Sequence, residues 1–476
     1  MFRSKFFILL SLLLSIYACR RDAIVLSDKG ARLQFSNDTV LFDTVFTQMG
    51  SVTKSLVVRN PYNRTLIISE IRLGGGNNGY RLNIDGIKGN VAKEIEIAPN
   101  DSIYIFVAVT INPLQANAPL VVSDSLLFTT NGNQQKVLLV AWGQDAHYIT
   151  PNSKIGFIDY SIVAQTATSV TWTNDKPYVI YGYAVVDSAA QLNIDAGCKI
   201  HFFRNSGLWI YRGGKLMVNG NLSAQVVFQG TRLEADYKDL NGQWDRIWIN
   251  EGASSEIRFA VIKNAFIGIQ CETLLGRYAP DQTGLILENT IIKNMSGAGI
   301  LSRYYKIYGR NNLIYNCGGY NLALTFGGTY RFTQCTFANY WSTPTRKTPC
   351  IYFNNKQVPL DTCLFRNCIV FGNNESEFEY EELGGGSLQF AVENSVIKIK
   401  DSFLSGVSSK FINCSINPTL SGNNASLFKD IEKENYEPAD DSPAIGRGNF
   451  TYILNWPTDL KGDAWLNPPS AGCYEY

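Results

Sequence analysis

Histidine and methionine are scarce in this sequence, two and four in 476 residues. So few imidazoles leave little material for a histidine metal centre or a histidine general base. Net charge is missing as well: 42 Lys and Arg stand against 41 Asp and Glu, a balance of +1. Nucleic acid is therefore not an expected partner, since binding it takes a basic stripe that displaces counterions. Long amphipathic helices are absent, for no long stretch carries a 3.6-residue apolar period with caps. Beyond the first twenty residues no segment has the uncharged length of a membrane-spanning helix. What is abundant is 40 Gly, 25 Tyr and 26 Phe, with many Asn. That is the composition of an all-β protein with many tight turns.

The chain opens with basic Arg3 and Lys5, then an uncharged run from Phe6 to Tyr17. This length is short for a bilayer crossing and right for the apolar region of a signal peptide. The run ends in Ile16-Tyr17-Ala18-Cys19, which resembles the lipobox of bacterial lipoprotein precursors. Tyr17 departs from the small residue usual at that place. The resemblance implies a signal peptide over 1–18, lipidation at Cys19 and a lipid-anchored linker over 19–30. Two or three acyl chains anchor stably where one, at ~0.8 kcal/mol per buried methylene, binds marginally. An outer-membrane lipoprotein is expected, on the periplasmic face or the cell surface; Arg20-Arg21-Asp22 does not decide the leaflet.

From 31 to 146 the sequence alternates with period two. Seven strand candidates are Leu41–Phe46, Ser55–Asn60, Thr65–Leu73, Glu94–Ala98, Ser102–Ile111, Asp124–Thr130 and Gln135–Gly143. Turns at Asn60-Pro61, Gly74-Gly75-Gly76, Pro99-Asn100-Asp101 and Asn131-Gly132 separate them. The pattern suggests an immunoglobulin-like β-sandwich. The order of its motifs resembles the ASPM/SPD-2/Hydin-like modules of bacterial lipoproteins, which implies a spacer or docking platform.

A repeat follows, and it is the most informative part of the chain. AVIKN (Ala260–Asn264), TIIKN (Thr290–Asn294), NLIYN (Asn312–Asn316), CTFAN (Cys335–Asn339), CIVFGN (Cys368–Asn373), SVIKI (Ser395–Ile399) and CSINP (Cys414–Pro418) share one template. The spacings from Thr290 to Asn312 and from Asn312 to Cys335 are about two dozen residues, and longer gaps hold extra loops such as Trp341–Pro359 and Glu375–Gly386. Three short strands per turn, stacked at roughly 4.8 Å, account for this period. Ile262, Ile292, Ile314, Phe337, Val370, Ile397 and Ile416 are then expected in one interior column. Ala260, Thr290, Asn312, Cys335, Cys368, Ser395 and Cys414 form a second column, of small residues. Asn264, Asn294, Asn316, Asn339 and Asn373 fall at bends, where stacked amides are expected to bond one another.

This arrangement resembles the right-handed parallel β-helix family over about half the chain. Residues 195–230 resemble its opening coils; Asp441–Gly448 and Asp459–Tyr476 resemble a closing tail that caps the open end. The expected organisation is a connector and cap over 147–194, a β-helix over 195–430 and a capping segment over 431–476. Of ten cysteines, lipid on Cys19 leaves nine. Stacked neighbours at about 4.8 Å are wider than a disulfide's ~3.8 Å between β-carbons, so Cys335, Cys368 and Cys414 read as reduced core residues. A bridge between Cys363 and Cys368, or one to Cys473, stays open.

Sites are harder to read. The Gly-His-Gly, paired-Asp and Arg-x-Lys set of polygalacturonase-like hydrolases is absent. His147 lies in the inter-domain link, and alternation points His201 outward. No metal-ligand set is recognised. Two acidic stretches, Glu234–Asp239 leading into Asp245-Arg246 and Glu375–Glu382 before Gly384-Gly385-Gly386, are the candidates for Ca²⁺. Trp244, Arg246, Tyr304, Tyr305, Tyr340 and Trp341, with Trp248 and Arg303 near them, are the binding candidates. They fall where loops leave the solenoid, suited to stacking on sugars or anchoring a partner. Trp341 is expected to stand exposed as the main platform. Catalytic residues are unassigned. Non-catalytic binding of glycan or protein along the solenoid flank is the favoured expectation. A polysaccharide lyase or glycoside hydrolase, and a structural subunit of an outer-membrane complex, are the alternatives.

Overall fold

The computed structural model describes residues 25–47, 49–75, 79–111, 120–273, 284–418 and 427–476. Cys19 and the segment before it lie outside the described residues. The chain divides into two compact units between Asp145 and Ala146.

The first unit is a sandwich of two five-stranded sheets. One runs in the order Gln34–Phe35, Lys54–Arg59, Ser102–Val109, Tyr80–Ile84, Ile87–Lys88; the other runs Thr39–Phe46, Asn133–Gln144, Leu120–Thr130, Leu66–Leu73, Val91–Ile97. Alternation sorts the faces: Ile103, Ile105, Val107 and Val109 are buried, while Tyr104 and Phe106 are exposed. Asn60 secures its turn from within, donating from Nδ2 to the carbonyls of Arg64, Ile97 and Ala98 at 2.8, 3.0 and 3.0 Å. All seven expected strands are present. Tyr80–Ile84 was not among the expected strands, although its burial alternates along all five residues.

The second unit winds three strands per coil onto three faces. Face A is an eleven-strand parallel ladder from His147–Ile149 through Tyr178–Ile180 and Lys199–Phe202 to Ser415–Ile416. Face B includes Tyr183–Val186, Gly207–Ile210, Ile247–Asn250 and Ile267–Glu272; face C includes Gln191–Asp195, Lys215–Asn219, Leu285–Glu288 and Leu360–Arg366. In Ala298–Arg310 the B and C strands run together, bending at Tyr304 with φ 51°. The chain is all-β, a sandwich followed by a right-handed parallel β-helix.

The interior column pairs coil by coil as its period requires: Ile262 on Ile292, Ile292 on Ile314, Ile314 on Phe337, then Val370, Ile397 and Ile416. Each fully buried member contributes roughly 1.5–3 kcal/mol. The small column does more than fill space. Backbone N–H groups of Ala260, Thr290 and Cys368 donate to the side-chain oxygens of Thr290, Asn312 and Ser395 on the next coil. All nine cysteines among the described residues are unbridged, Cys363 and Cys473 included.

Three expectations need correction. Asparagines mark the bends chiefly because of backbone conformation. Asn264, Asn294 and Asn316, with Asn289, Asn311, Asn367, Asn394 and Asn413 at the other corner of face A, have φ from 49° to 67°. That left-handed region suits Asn among residues with a side chain. Their amides mostly meet backbone and neighbours, as Asn264 does at Lys238 O and Asn339 at Cys317 O, both 2.8 Å. Residues 147–194 already build coils: Tyr183–Val186 and Gln191–Asp195 pair in parallel with the coil above. Only the hairpin Ser153–Ile155 with Ile158–Ala164 is antiparallel there. Finally, the C-terminal segment lies along face A. Leu427, Phe428, Tyr436, Leu460 and Cys473 cluster with outward-facing Leu313, Tyr315, Ile369, Phe371 and Val396. Apolar outward positions on face A are what this segment covers.

Candidate functional site

On face B the strands Gly207–Ile210 and Ile247–Asn250 bury Leu208, Ile210, Ile247 and Ile249, so Trp209 and Trp248 point outward. Parallel register sets one above the other, rings 4.7 Å apart at 14°. The next coil puts Gln270 in the same column and Glu272 one step along. Glu272 accepts from Trp248 Nε1 at 2.7 Å, Gln270 Nε2 at 2.8 Å and Asn250 Nδ2 at 3.2 Å, and Arg303 approaches at 3.4 Å.

A second carboxylate sits at the strand entry. Asp245 accepts from Tyr183 Oη and from Arg246 Nε and Nη2, the latter two at 3.0 and 2.8 Å. Arg246 also donates to Gln270, which links the two carboxylates into one network. Gly207 makes the Tyr183 contact geometrically feasible. It occupies the coil between, and a Cβ there would come 2.7 Å from the Tyr183 ring and 2.5 Å from Arg246 O. Burial, and then the Asp245 charge, push the Tyr183 phenol well above its ordinary range, so it remains a donor.

Tyr183, Asp245, Arg246 and Trp248 form one side of a groove of about 770 Å³. Phe203 and the hairpin tip at Phe157 form the other; both rings are exposed. Convergent polar groups between aromatic walls are the usual constitution of a small-ligand site.

Of the expected binding residues, Arg246 belongs to this groove and Tyr304 forms the bend between faces B and C. Trp244 does not emerge: it is buried in the solenoid, stacked 4.2 Å from Phe202, with Nε1 donating to Lys263 O at 2.9 Å. Tyr305 is also interior, its hydroxyl donating to Gly252 O at 3.0 Å. Both immediately precede or follow a bend, and the bend turns them inward. Tyr340 lies beneath the C-terminal segment, 6.4 Å from Tyr436 and 6.3 Å from Phe428. Trp341 is half-buried, not an open platform, and its indole N–H is enclosed.

His201 is an outward position by alternation but is 2% exposed, with Nδ1 at 3.1 Å from Gly230 O. Burial pushes its pKa down to about 4. Within the acidic stretches, Glu377 is fully buried against Arg346 at 2.6 Å, and Asp239 lies 3.6 Å from Lys293. Among the described residues no three His, Cys, Asp or Glu side chains gather to hold a metal. Tyr183, Trp209, Gln270 and Glu272 were missed. Aligning LWIYRGG with IWINEG would have found the tryptophan pair, because both segments are the same strand of successive coils.

Residues 245–426 match the family model of the right-handed β-helix region. The match covers the middle and later coils of the β-helix and includes Asp245, Arg246, Trp248 and Glu272. No curated protein matches the chain. Among solved structures it is similar to a family 123 glycoside hydrolase from Clostridium perfringens, at 6% identity and TM-score 0.18 over 25% of this chain. The chain spans 30% of that hydrolase. A PapD-like domain of human CEP192 aligns at 9% identity and TM-score 0.17, over 25% of this chain and 89% of that one. The catalytic unit of a thermostable GH87 α-1,3-glucanase from Streptomyces thermodiastaticus aligns at 11% and 0.26, over 72% and 79%.

Proposed function

We propose that this chain is a lipid-anchored extracytoplasmic protein that binds glycan in the face B groove without turning it over. The observation that carries the reading is the state of the two carboxylates. Asp245 is held by Tyr183 and Arg246, and Glu272 by Trp248, Asn250 and Gln270. A glycoside hydrolase needs one carboxyl free as acid and a second roughly 5–9.5 Å away as base or nucleophile. Here both are taken up in fixing donors and rings. Also facing the groove are Asp159, an exposed carboxylate 3.2 Å from Lys154, and hydrogen-bonding edges and aromatic walls, which suit sugar hydroxyls and ring faces. Anchoring rests on the motif at Cys19, and the outer membrane is the proposed location.

The test is a binding screen against soluble polysaccharides, with wild type and Trp248→Ala side by side. Binding that falls at least tenfold in the variant, with its melting temperature within a few degrees, supports the reading. Release of reducing or unsaturated ends by the wild type would instead make the protein an enzyme. Retained affinity in Trp248→Ala would move the ligand elsewhere. A stoichiometric barrel protein in pull-downs of the native protein from detergent-solubilised membranes would favour a structural subunit.

A further inference from the structure

A second groove, of about 540 Å³, lies on face C, away from the aromatic pair. Its floor follows from strand register. Glu288, Arg310, Thr333, Arg366 and Glu393 stack in one column on successive coils, and Tyr308 and Arg331 are neighbours in the adjacent one. Thr333 is the short side chain between two arginines, so Arg310 and Arg366 stand two coil spacings apart, roughly 9–10 Å, with a notch between them. Arg331, exposed, borders the notch on the same coil as Thr333.

The C-terminal segment supplies one wall. Arg310 lies 4.3 Å from the Trp456 ring, and Arg366 lies 4.7 Å from the Tyr452 ring. The carboxylates at the two ends of the column hold these cations from outside: Glu288 pairs with Arg310 and, at 3.0 Å, with Arg258, and Glu393 pairs with Arg366 at 3.0 Å. Tyr452 Oη donates to Glu393 at 2.5 Å, which ties the wall to the column. Two guanidinium planes are thus held in place at opposite sides of the notch. Arg331 differs from both. Among the described residues no carboxylate pairs with it, and its contact is the Tyr308 ring at 5.6 Å. Arg258 also pairs with Glu256, so four arginines meet three glutamates at this surface, and the unmatched positive charge is that of Arg331 at the open notch.

We propose that the face C groove binds a carboxylate-bearing sugar residue, a uronate, with Arg331 as its principal anion contact. A guanidinium presents a planar fork that matches a carboxylate in two parallel hydrogen bonds, which an ammonium would not. The aromatic side chains fix Arg310 and Arg366 before the ligand arrives, so little side-chain freedom is lost on binding. Tyr308 and Trp456 flank the ring. This site is independent of the face B reading, since it shares no residue with that groove.

The experiment is calorimetric titration of the full chain with a galacturonate tetrasaccharide and, separately, a neutral glucose tetrasaccharide. The acidic probe should bind, the neutral one should bind at least tenfold more weakly, and affinity should fall as salt is raised. Arg331→Gln removes an exposed side chain, so it should leave the melting temperature unchanged and cut affinity for the acidic probe at least tenfold. Trp248→Ala should leave that affinity as it is, which separates this site from face B. No binding of the acidic probe, equal binding of both probes, or an unaffected Arg331→Gln would overturn the assignment. So would Arg331-dependent binding to anionic lipid vesicles in place of the saccharide.

Discussion

Replacing Glu377 by Gln should destabilise the β-helix by about 3–5 kcal/mol, and adding Arg346→Met should restore part of the loss. The pair is enclosed, at 0% and 1% side-chain exposure. Glu377 accepts from Arg346 at 2.6 Å and from the backbone N–H groups of Asn374 at 2.8 Å and Cys350 at 2.9 Å. Arg346 donates in turn to Thr348 O and, at 3.1 Å, to Asn339 O. The Gln keeps the shape and can still accept from one N–H, but it leaves a cation buried with no counter-charge. Met at 346 removes that cation while preserving apolar bulk. The double variant should therefore be more stable than Glu377→Gln alone, although it carries one more substitution. Urea denaturation followed by tryptophan fluorescence measures this, since Trp142 is the one tryptophan in the sandwich. If the second substitution adds to the loss, the stability of the Trp341–Pro359 insertion does not rest on charge pairing, and the reasoning fails.

Ile314→Asp should be severely destabilising, because it sets an unpaired carboxylate between Ile292 and Phe337 in the interior column; a melting temperature within a degree or two of wild type would refute that register. His201 sets a pH dependence. Its folded pKa, about 4, lies below its ordinary 6.5, so between those values the unfolded chain binds more protons. Stability should fall by about 3 kcal/mol as pH drops through that window. In His201→Gln that part of the slope should vanish, and identical slopes in both proteins would count against a buried neutral imidazole. Cys19→Ala should shift the protein from the membrane to the soluble fraction of cells; unchanged retention, without a protein partner holding it, would end the lipid-anchor proposal.

What the sequence disclosed depended on whether the determining pattern was local. The column from Ile262 to Ile416 was legible because one short template, with its apolar residue two places after a small or polar one, recurs in every coil. The seven sandwich strands were legible because inward and outward residues alternate along each of them. The fate of outward residues was not, since a strand's period says which side chains leave the solenoid but not what later covers them. His201 and Tyr340 are outward or loop positions that later elements cover. Trp244 and Tyr305 show a second limit. They sit within a residue or two of a bend, where one left-handed residue exchanges inside for outside. The face B network leaves no local pattern in the sequence, because Tyr183, Asp245 and Glu272 come from three coils, joined by register alone.

The C-terminal segment ties together coils whose strand ladders pair only with the coils next to them. Its Glu434 reaches Lys293, Tyr436 reaches Asn316, Cys473 reaches Thr336, Asn449 reaches Asn367 and Tyr452 reaches Glu393. A stack with nearest-neighbour contacts alone can unravel from either end, one repeat at a time. Here the central coils cannot open until the strap spanning them lets go, so they should be lost in one concerted step. The order of synthesis adds a delay. The coils are made first and must wait with Leu313, Tyr315 and Phe371 uncovered until residues 427–476 arrive. During that interval the unfinished solenoid is exposed to aggregation, and the strap's docking is the event that ends the exposure.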